Sequence, residues 1–232
     1  MIGYGDANEK QWSCGGSLIS RRWVLSAAHC ASLVGIGPAR WARVGDLDIS
    51  STSEDAQPQE KIIIDIIIHP NYKKPAVYND IALFKLDAAV TFNNWVAPIC
   101  LYVDDLISTT KATLTGWGRL NFLGSVSAKL QEVNVSLVDG NECKNLHGEN
   151  TMIPEGIDTR TMVCAGEKEG GKDACSGDSG GPLIINQNRG CSKAQIGIIS
   201  YGKECGLPNF PGVYTRVSYY VPWIESIVCV NN

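Results

Sequence analysis

The chain holds 232 residues, 44% of them hydrophobic and 19% charged, enough to bury a sizeable core as one large domain or two fused small ones. Its net charge of -4, with Lys and Arg scattered along the chain, leaves no electrostatic footprint for nucleic acid or an anionic membrane, so neither is expected as a partner. Nine widely spaced cysteines with no Cys-x-x-Cys pair favour disulfides in an oxidising compartment over a zinc site; buried thiols of a cytosolic protein are the alternative, and the odd number leaves at least one cysteine needing another partner.

No basic stretch followed by an apolar one opens the chain, so the expectation of a secreted, extracellular protein rests on the cysteines. From the first residues onward, short β-branched and aromatic runs bounded by Gly, Pro, Asn and Asp recur at 17–19, 22–25, 41–44, 61–68, 81–86, 112–115, 130–137, 182–185, 195–200 and 212–217. Many short strands separated by turn signals predict an all-β sandwich or barrel. The longest apolar run, 62–68, is interrupted by Asp65 and is too short to span a bilayer. Residues 96–110 read as a long connection between two groups of strands, one over about 1–95 and the other over 111–217. Tyr220, Trp223, Ile224, Ile227 and Val228 recur at three- and four-residue spacing, which predicts an amphipathic helix over 218–230 that docks on a barrel.

Three segments carry chemistry: Leu25-Ser26-Ala27-Ala28-His29-Cys30, Asn79-Asp80-Ile81-Ala82-Leu83, and Asp173-Ala174-Cys175-Ser176-Gly177-Asp178-Ser179-Gly180-Gly181-Pro182. A serine flanked by glycines can present its hydroxyl and neighbouring amides to a ligand. Singly, each segment has a plainer explanation: a core histidine, a turn aspartate, a glycine-rich turn. Together, in the order His, Asp, Ser, they resemble the chymotrypsin and trypsin family of serine peptidases, and that order separates them from the subtilisin and α/β-hydrolase arrangements. Supporting pieces are Cys14-Gly15-Gly16-Ser17-Leu18-Ile19, Thr115-Gly116-Trp117-Gly118, Ser200-Tyr201-Gly202 and Pro211-Gly212-Val213-Tyr214, and the resemblance covers nearly the whole chain. It extends to arthropod clip-domain and venom members.

The resemblance implies two packed antiparallel Greek-key barrels with a C-terminal helix, and endopeptidase activity through Ser179 as nucleophile, His29 as base and Asp80 as orienting carboxylate. A serine hydroxyl needs an imidazole to take its proton during attack, and a buried carboxylate fixes the imidazole tautomer. The N–H groups of Gly177 and Ser179 would form the oxyanion hole, and Ser200 would hydrogen-bond Asp80. Asp173 matches the base of the primary pocket in trypsin-like members, where a buried carboxylate pairs naturally with a substrate Arg or Lys. Gly202 and Gly212 match the pocket wall. Ala174 stands where digestive trypsins carry serine, which favours arginine over lysine; Tyr201 replaces the usual tryptophan beside the substrate backbone. A noncatalytic homologue acting as a binding or regulatory protein is the alternative, opposed by the intact Ser179, His29 and Asp80.

By the same resemblance Cys14 pairs with Cys30, Cys143 with Cys164 and Cys175 with Cys205. Cys100 matches the cysteine that bonds to a propeptide in members with amino-terminal regulatory regions; a Cys191–Cys229 bond is then one option, and the pairing of these three cysteines stays open. Protein or peptide substrates and macromolecular inhibitors are the implied partners, and no cofactor is required. The acidic loop with Asp46, Asp48 and Glu54 lies where several trypsins bind calcium, with a solvated acidic loop as the equal alternative. Asn134-Val135-Ser136 is a glycosylation sequon on a predicted strand, with Asn134 outward. Ile2 invites confusion with the family's mature amino terminus, but only twelve positions separate it from Cys14, too few for that register. Asp178, which an amino-terminal ammonium pairs in the family, is then expected to find its partner outside these residues, and the chain beginning at Met1 is expected to show little activity.

Overall fold

The computed structural model describes residues 1–51, 56–121 and 123–230. Nine strands occupy the first part: β1 (Ile2–Tyr4), β2 (Gln11–Cys14), β3 (Ser17–Leu18), β4 (Trp23–Ser26), β5 (Ser32–Leu33), β6 (Gly37–Pro38), β7 (Trp41–Val44), β8 (Gln59–Ile68) and β9 (Ala82–Leu86). Seven of them form one antiparallel sheet in the order β2-β1-β7-β8-β9-β4-β3, with β5 and β6 a separate small hairpin. β4 is buried throughout and β9 nearly so, which is why both read as mainly apolar runs, broken only by Ser26 and Lys85, instead of alternating ones.

The second part holds β10 (Cys100–Leu101), β11 (Lys111–Gly116), β12 (Gln131–Val138), β13 (Met162–Ala165), β14 (Pro182–Arg189), β15 (Cys191–Tyr201) and β16 (Gly212–Arg216). The sheet order is β10-β15-β14-β11-β12-β13-β16, and a further β15–β16 pairing closes the ring. Every pairing is antiparallel except β10 with β15, so the connection over 96–110 contains a short strand of its own. The fold is thus the two-barrel, all-β architecture expected, with one helix more than the sequence suggests.

That additional helix, α1 (Gly140–His147), is defined by its ends. Asp139 Oδ1 accepts from the N–H groups of Asn141 and Glu142 at 2.9 and 3.3 Å, and Gly148 N–H donates to the Lys144 carbonyl, the pairing that caps each terminus. The terminal helix α2 (Val217–Val228) buries Val217, Tyr220 and Ile224 in the same cluster as Trp23, Leu25, Ile81 and Phe84. It therefore follows the second barrel in sequence but packs on the core of the first. Among the described residues no helix is long and apolar enough to cross a membrane.

Four disulfides are present. Cys14–Cys30, Cys143–Cys164 and Cys175–Cys205 are the three expected pairs. The fourth joins Cys100 to Cys191, which corrects two expectations: Cys100 is not left for a propeptide, and Cys191 is not paired with Cys229, an exposed free thiol. The hairpin of β14 and β15 continues through the polar residues 186–189, well past the apolar run at 182–185, and so carries Cys191 to the parallel strand β10, where Cys100 faces Ala194.

Candidate active site

The pairing of β4 with β9 sets Ser26 opposite Ala82, so the residues just beyond these strand ends meet. His29 lies on the single 3-10 turn Ala28–Ala31 after β4, and Asp80 lies in the turn before β9. His29 N–H donates to Asp80 Oδ1 at 2.9 Å, and His29 Nδ1 lies 2.7 Å from Asp80 Oδ2. Ser200, near the end of β15, donates to the same Oδ2 at 2.5 Å, and Thr215 Oγ1 donates to the Asp80 main-chain carbonyl. Asp80 is fully buried. With Oδ2 an acceptor for both groups, the neutral imidazole carries its proton on Nδ1 and leaves Nε2 as a free acceptor.

Ser179 sits in the loop before β14. Its carbonyl accepts from Gly15 N–H at 2.7 Å, and Gly180 N–H donates to the Ile199 carbonyl at 2.8 Å, so the loop is stitched to both barrels at once. Gly177 holds φ +104°, a conformation that other residues rarely adopt. Neither Gly177 N–H nor Ser179 N–H has an acceptor among the described residues, leaving two donors open beside the Ser179 hydroxyl. Between them Asp178 turns inward: its Oδ1 accepts from Gly118 N–H at 2.8 Å and its Oδ2 from Cys175 N–H at 2.9 Å. Burial pushes the Asp178 carboxyl up despite these bonds, and no ion pair reaches it among the described residues.

A cavity of about 210 Å³ runs from Ser179 past Ala174, Ser200, Tyr201, Gly202 and Gly212 to Asp173. Asp173 Oδ1 accepts from Ala174 N–H at 2.8 Å and Oδ2 from Gly206 N–H at 3.0 Å. Burial, against those two bonds and with Asp178 nearby, pushes its carboxyl up to about 6. A Cβ on Gly212 would come within 3.2 Å of Asp173 Oδ1 and 2.9 Å of Tyr214 Oη, whereas one on Gly202 would meet nothing within 4 Å. Glycine at 212 is thus what keeps the carboxylate reachable. A cavity with a largely buried carboxylate in its lining suits a cationic side chain.

The sequence profile described as Trypsin matches residues 4–224. The chain belongs to the trypsin family. Among its relatives, serine protease snk of Drosophila melanogaster is 41% identical over 218 residues, which is 94% of this chain and 49% of snk. Venom serine protease Bi-VSP of Bombus ignitus is 42% identical over 220 residues, 93% of this chain and 59% of that protein. Proclotting enzyme of Tachypleus tridentatus is 37% identical over 221 residues, 91% of this chain and 57% of the relative. This trypsin-family chain therefore spans from 49% to 59% of the length of these relatives.

Other expected sites are placed as follows. Asp46 is ion-paired to Arg43 Nε at 2.7 Å, while Asp48 accepts from the N–H and hydroxyl of Ser50; Glu54 lies outside the described residues. No three carboxylates of the described residues converge at that loop. Asn134 is exposed on β12, its Oδ1 accepting from Thr113 Oγ1 at 2.8 Å. Ile2 lies in β1, paired with both β2 and β7, and the Met1 ammonium donates to the Arg43 carbonyl at 2.8 Å, away from Asp178. Sequence reading missed Tyr214, whose buried hydroxyl has no partner among the described residues and which meets Asp173 across Gly212. It also missed the Gly206 amide that donates to Asp173. The Cys175–Cys205 bond was the available signal for that amide, since it draws the loop of Gly206 to the pocket base.

Proposed function

We propose that this trypsin-family chain is a serine endopeptidase that cleaves after arginine in preference to lysine. The observation that carries the reading is the largely buried Asp173 carboxylate in the lining of the same cavity as Ser179. An arginine guanidinium can take both carboxylate oxygens, while lysine presents a single ammonium and would need the hydroxyl that Ala174 lacks. With arginine seated, its own carbonyl carbon is the one Ser179 attacks.

His29 Nε2 accepts the Ser179 Oγ proton as Oγ bonds to the carbonyl carbon, and the oxygen that gains charge receives the free N–H groups of Gly177 and Ser179, worth about 3 kcal/mol each. Collapse of this adduct breaks the C–N bond while His29 returns the proton to the leaving amine. Water then repeats the sequence through His29, releasing the acid and restoring Ser179. Asp80 holds the imidazole in place and stabilises the imidazolium.

The inward Asp178 supports a further requirement. A cavity of about 170 Å³ lies beside it, lined by Gly116, Gly118, Lys172 and Asp173 among others, and a buried carboxylate calls for a cation. An amino-terminal ammonium freed by proteolysis would supply one, and a zymogen is the reading that this requirement supports. Four disulfides and relatives named as a proclotting enzyme and a venom serine protease support an extracellular cascade as the setting. The test is hydrolysis of an arginyl peptide ester by the processed protein, with fluorophosphonate labelling of Ser179. Neither hydrolysis nor labelling would favour the noncatalytic alternative.

A further inference from the structure

The pocket that ends on a carboxylate carries a cation at its mouth. Lys203 lines the same cavity as Asp173 and Ser179, and its Nζ lies 4.1 Å from the centre of the Phe210 ring. Phe210 stands edge-on to His147 at 6.2 Å, and His147 packs at 6.0 Å against Tyr201. His147 is itself fixed, buried and bonded through Nε2 to the Pro211 carbonyl at 2.8 Å. A cation over an aromatic face is attracted to it, so the Lys203 ammonium is held at the rim by a ring whose own position is set by two neighbours. None of the described carboxylates forms an ion pair with it, including the adjacent exposed Glu204. The charge is open to whatever passes the mouth.

What passes follows from strand geometry. β15 ends at Tyr201, and residues 200–203 run from the catalytic aspartate's partner Ser200 to the rim. An extended peptide laid antiparallel along the end of β15 and on past Gly202 and Lys203, with its arginine entering the pocket beside Ser200, sets one residue against each residue of that segment. The second residue ahead of the arginine then lies at Gly202 and the third at Lys203. Gly202 offers no side chain to screen either from the ammonium.

We propose that Lys203 is a specificity-determining residue, selecting substrates with an acidic side chain two or three residues ahead of the cleaved arginine and disfavouring basic ones there. The proposal rests on the peptidase reading above and deepens it. Attraction to one charge and repulsion of the other act together, which is how discrimination exceeds what a single contact supplies.

The experiment compares kcat/KM of the processed protein for fluorogenic arginyl peptides that carry Glu, Gln or Lys at those two positions. The expected preference for Glu over Gln is about two- to five-fold, the range of one solvent-exposed ion pair, and it fades in high salt. Lys203→Gln removes the preference and Lys203→Glu reverses it, each read as the ratio of kcat/KM for the Glu and Lys peptides within one protein. Equal rates for Glu, Gln and Lys peptides, or a Glu preference that persists in Lys203→Gln, overturn the proposal while leaving cleavage after arginine standing. Failure to cleave any of the peptides, with Ser179 unlabelled by a fluorophosphonate, overturns the peptidase reading and the proposal with it.

Discussion

Replacing Asp173 with Asn separates the two things that carboxylate does. Burial raises its pKa from 3.8 to about 6. A carboxyl whose folded pKa lies above its unfolded one holds more protons folded than unfolded, so the folded state loses stability as pH rises through that interval. At 1.36 kcal/mol per pH unit the loss is about 3 kcal/mol, complete by about pH 7. Asn carries no charge and escapes it. Its amide cannot accept from both Ala174 N–H and Gly206 N–H as the carboxylate does, and one buried donor left unpaired costs about 1–3 kcal/mol. The net expectation for Asp173→Asn is a gain of about 0–2 kcal/mol near pH 8, a Tm rise of up to about 6 °C for a chain of this size, turning to a loss near pH 4 where the wild-type carboxyl is neutral. Catalysis moves the other way. Removing one partner of a buried charge pair costs about 3–5 kcal/mol, so kcat/KM for an arginyl peptide falls by roughly two to four orders of magnitude. Thermal melts of both proteins from about pH 4 to pH 8, alongside rates on an arginyl peptide, give the answer. A variant less stable than wild type at the alkaline end, or one that still cleaves after arginine at near-normal rates, refutes the reasoning.

The same pKa makes substrate binding pH-dependent: KM for arginyl substrates rises as pH falls through about 6, where Asp173 takes up its proton, while a neutral ligand at this pocket shows no such step. Gly212→Val places carbon between Asp173 and the pocket mouth, so arginyl hydrolysis drops at least a hundred-fold, the scale of a lost buried ion pair, while fluorophosphonate labelling of Ser179 persists. Cys100→Ser with Cys191→Ser opens a loop of 91 residues and lowers unfolding stability by about 2–4 kcal/mol in chemical denaturation. In the native protein one thiol, Cys229, reacts with an alkylating reagent; alkylation of Cys100 would contradict the pairing.

The segments proposed to carry the chemistry could be singled out in the sequence because each is local and they come in a fixed order. His29, Asp80 and Ser179 each sit in a short segment with characteristic neighbours, and the β4–β9 register that brings two of them together follows from two apolar runs that the sequence shows plainly. What stayed hidden depends on contacts distant in sequence or on polar residues. The β14–β15 hairpin runs through Asn186 and Arg189, which no apolar pattern marks, and the Cys100–Cys191 bond depends on that extra length. Helix α1 has only Cys143 and His147 buried, too few for periodicity, although Asp139 followed three residues later by Glu142 was a readable start signal. The Lys203, Phe210, His147 and Tyr201 stack joins residues from α1, the end of β15 and the loop before β16, and no local pattern joins them.

The most direct test of the central claim is a map of the bonds cut in a mixed peptide library by the processed protein and by its Ser179→Ala variant. The account expects cleavage on the carboxyl side of arginine, more seldom of lysine, and none by the variant. Cuts after other residues, or the same cuts by Ser179→Ala, would contradict it.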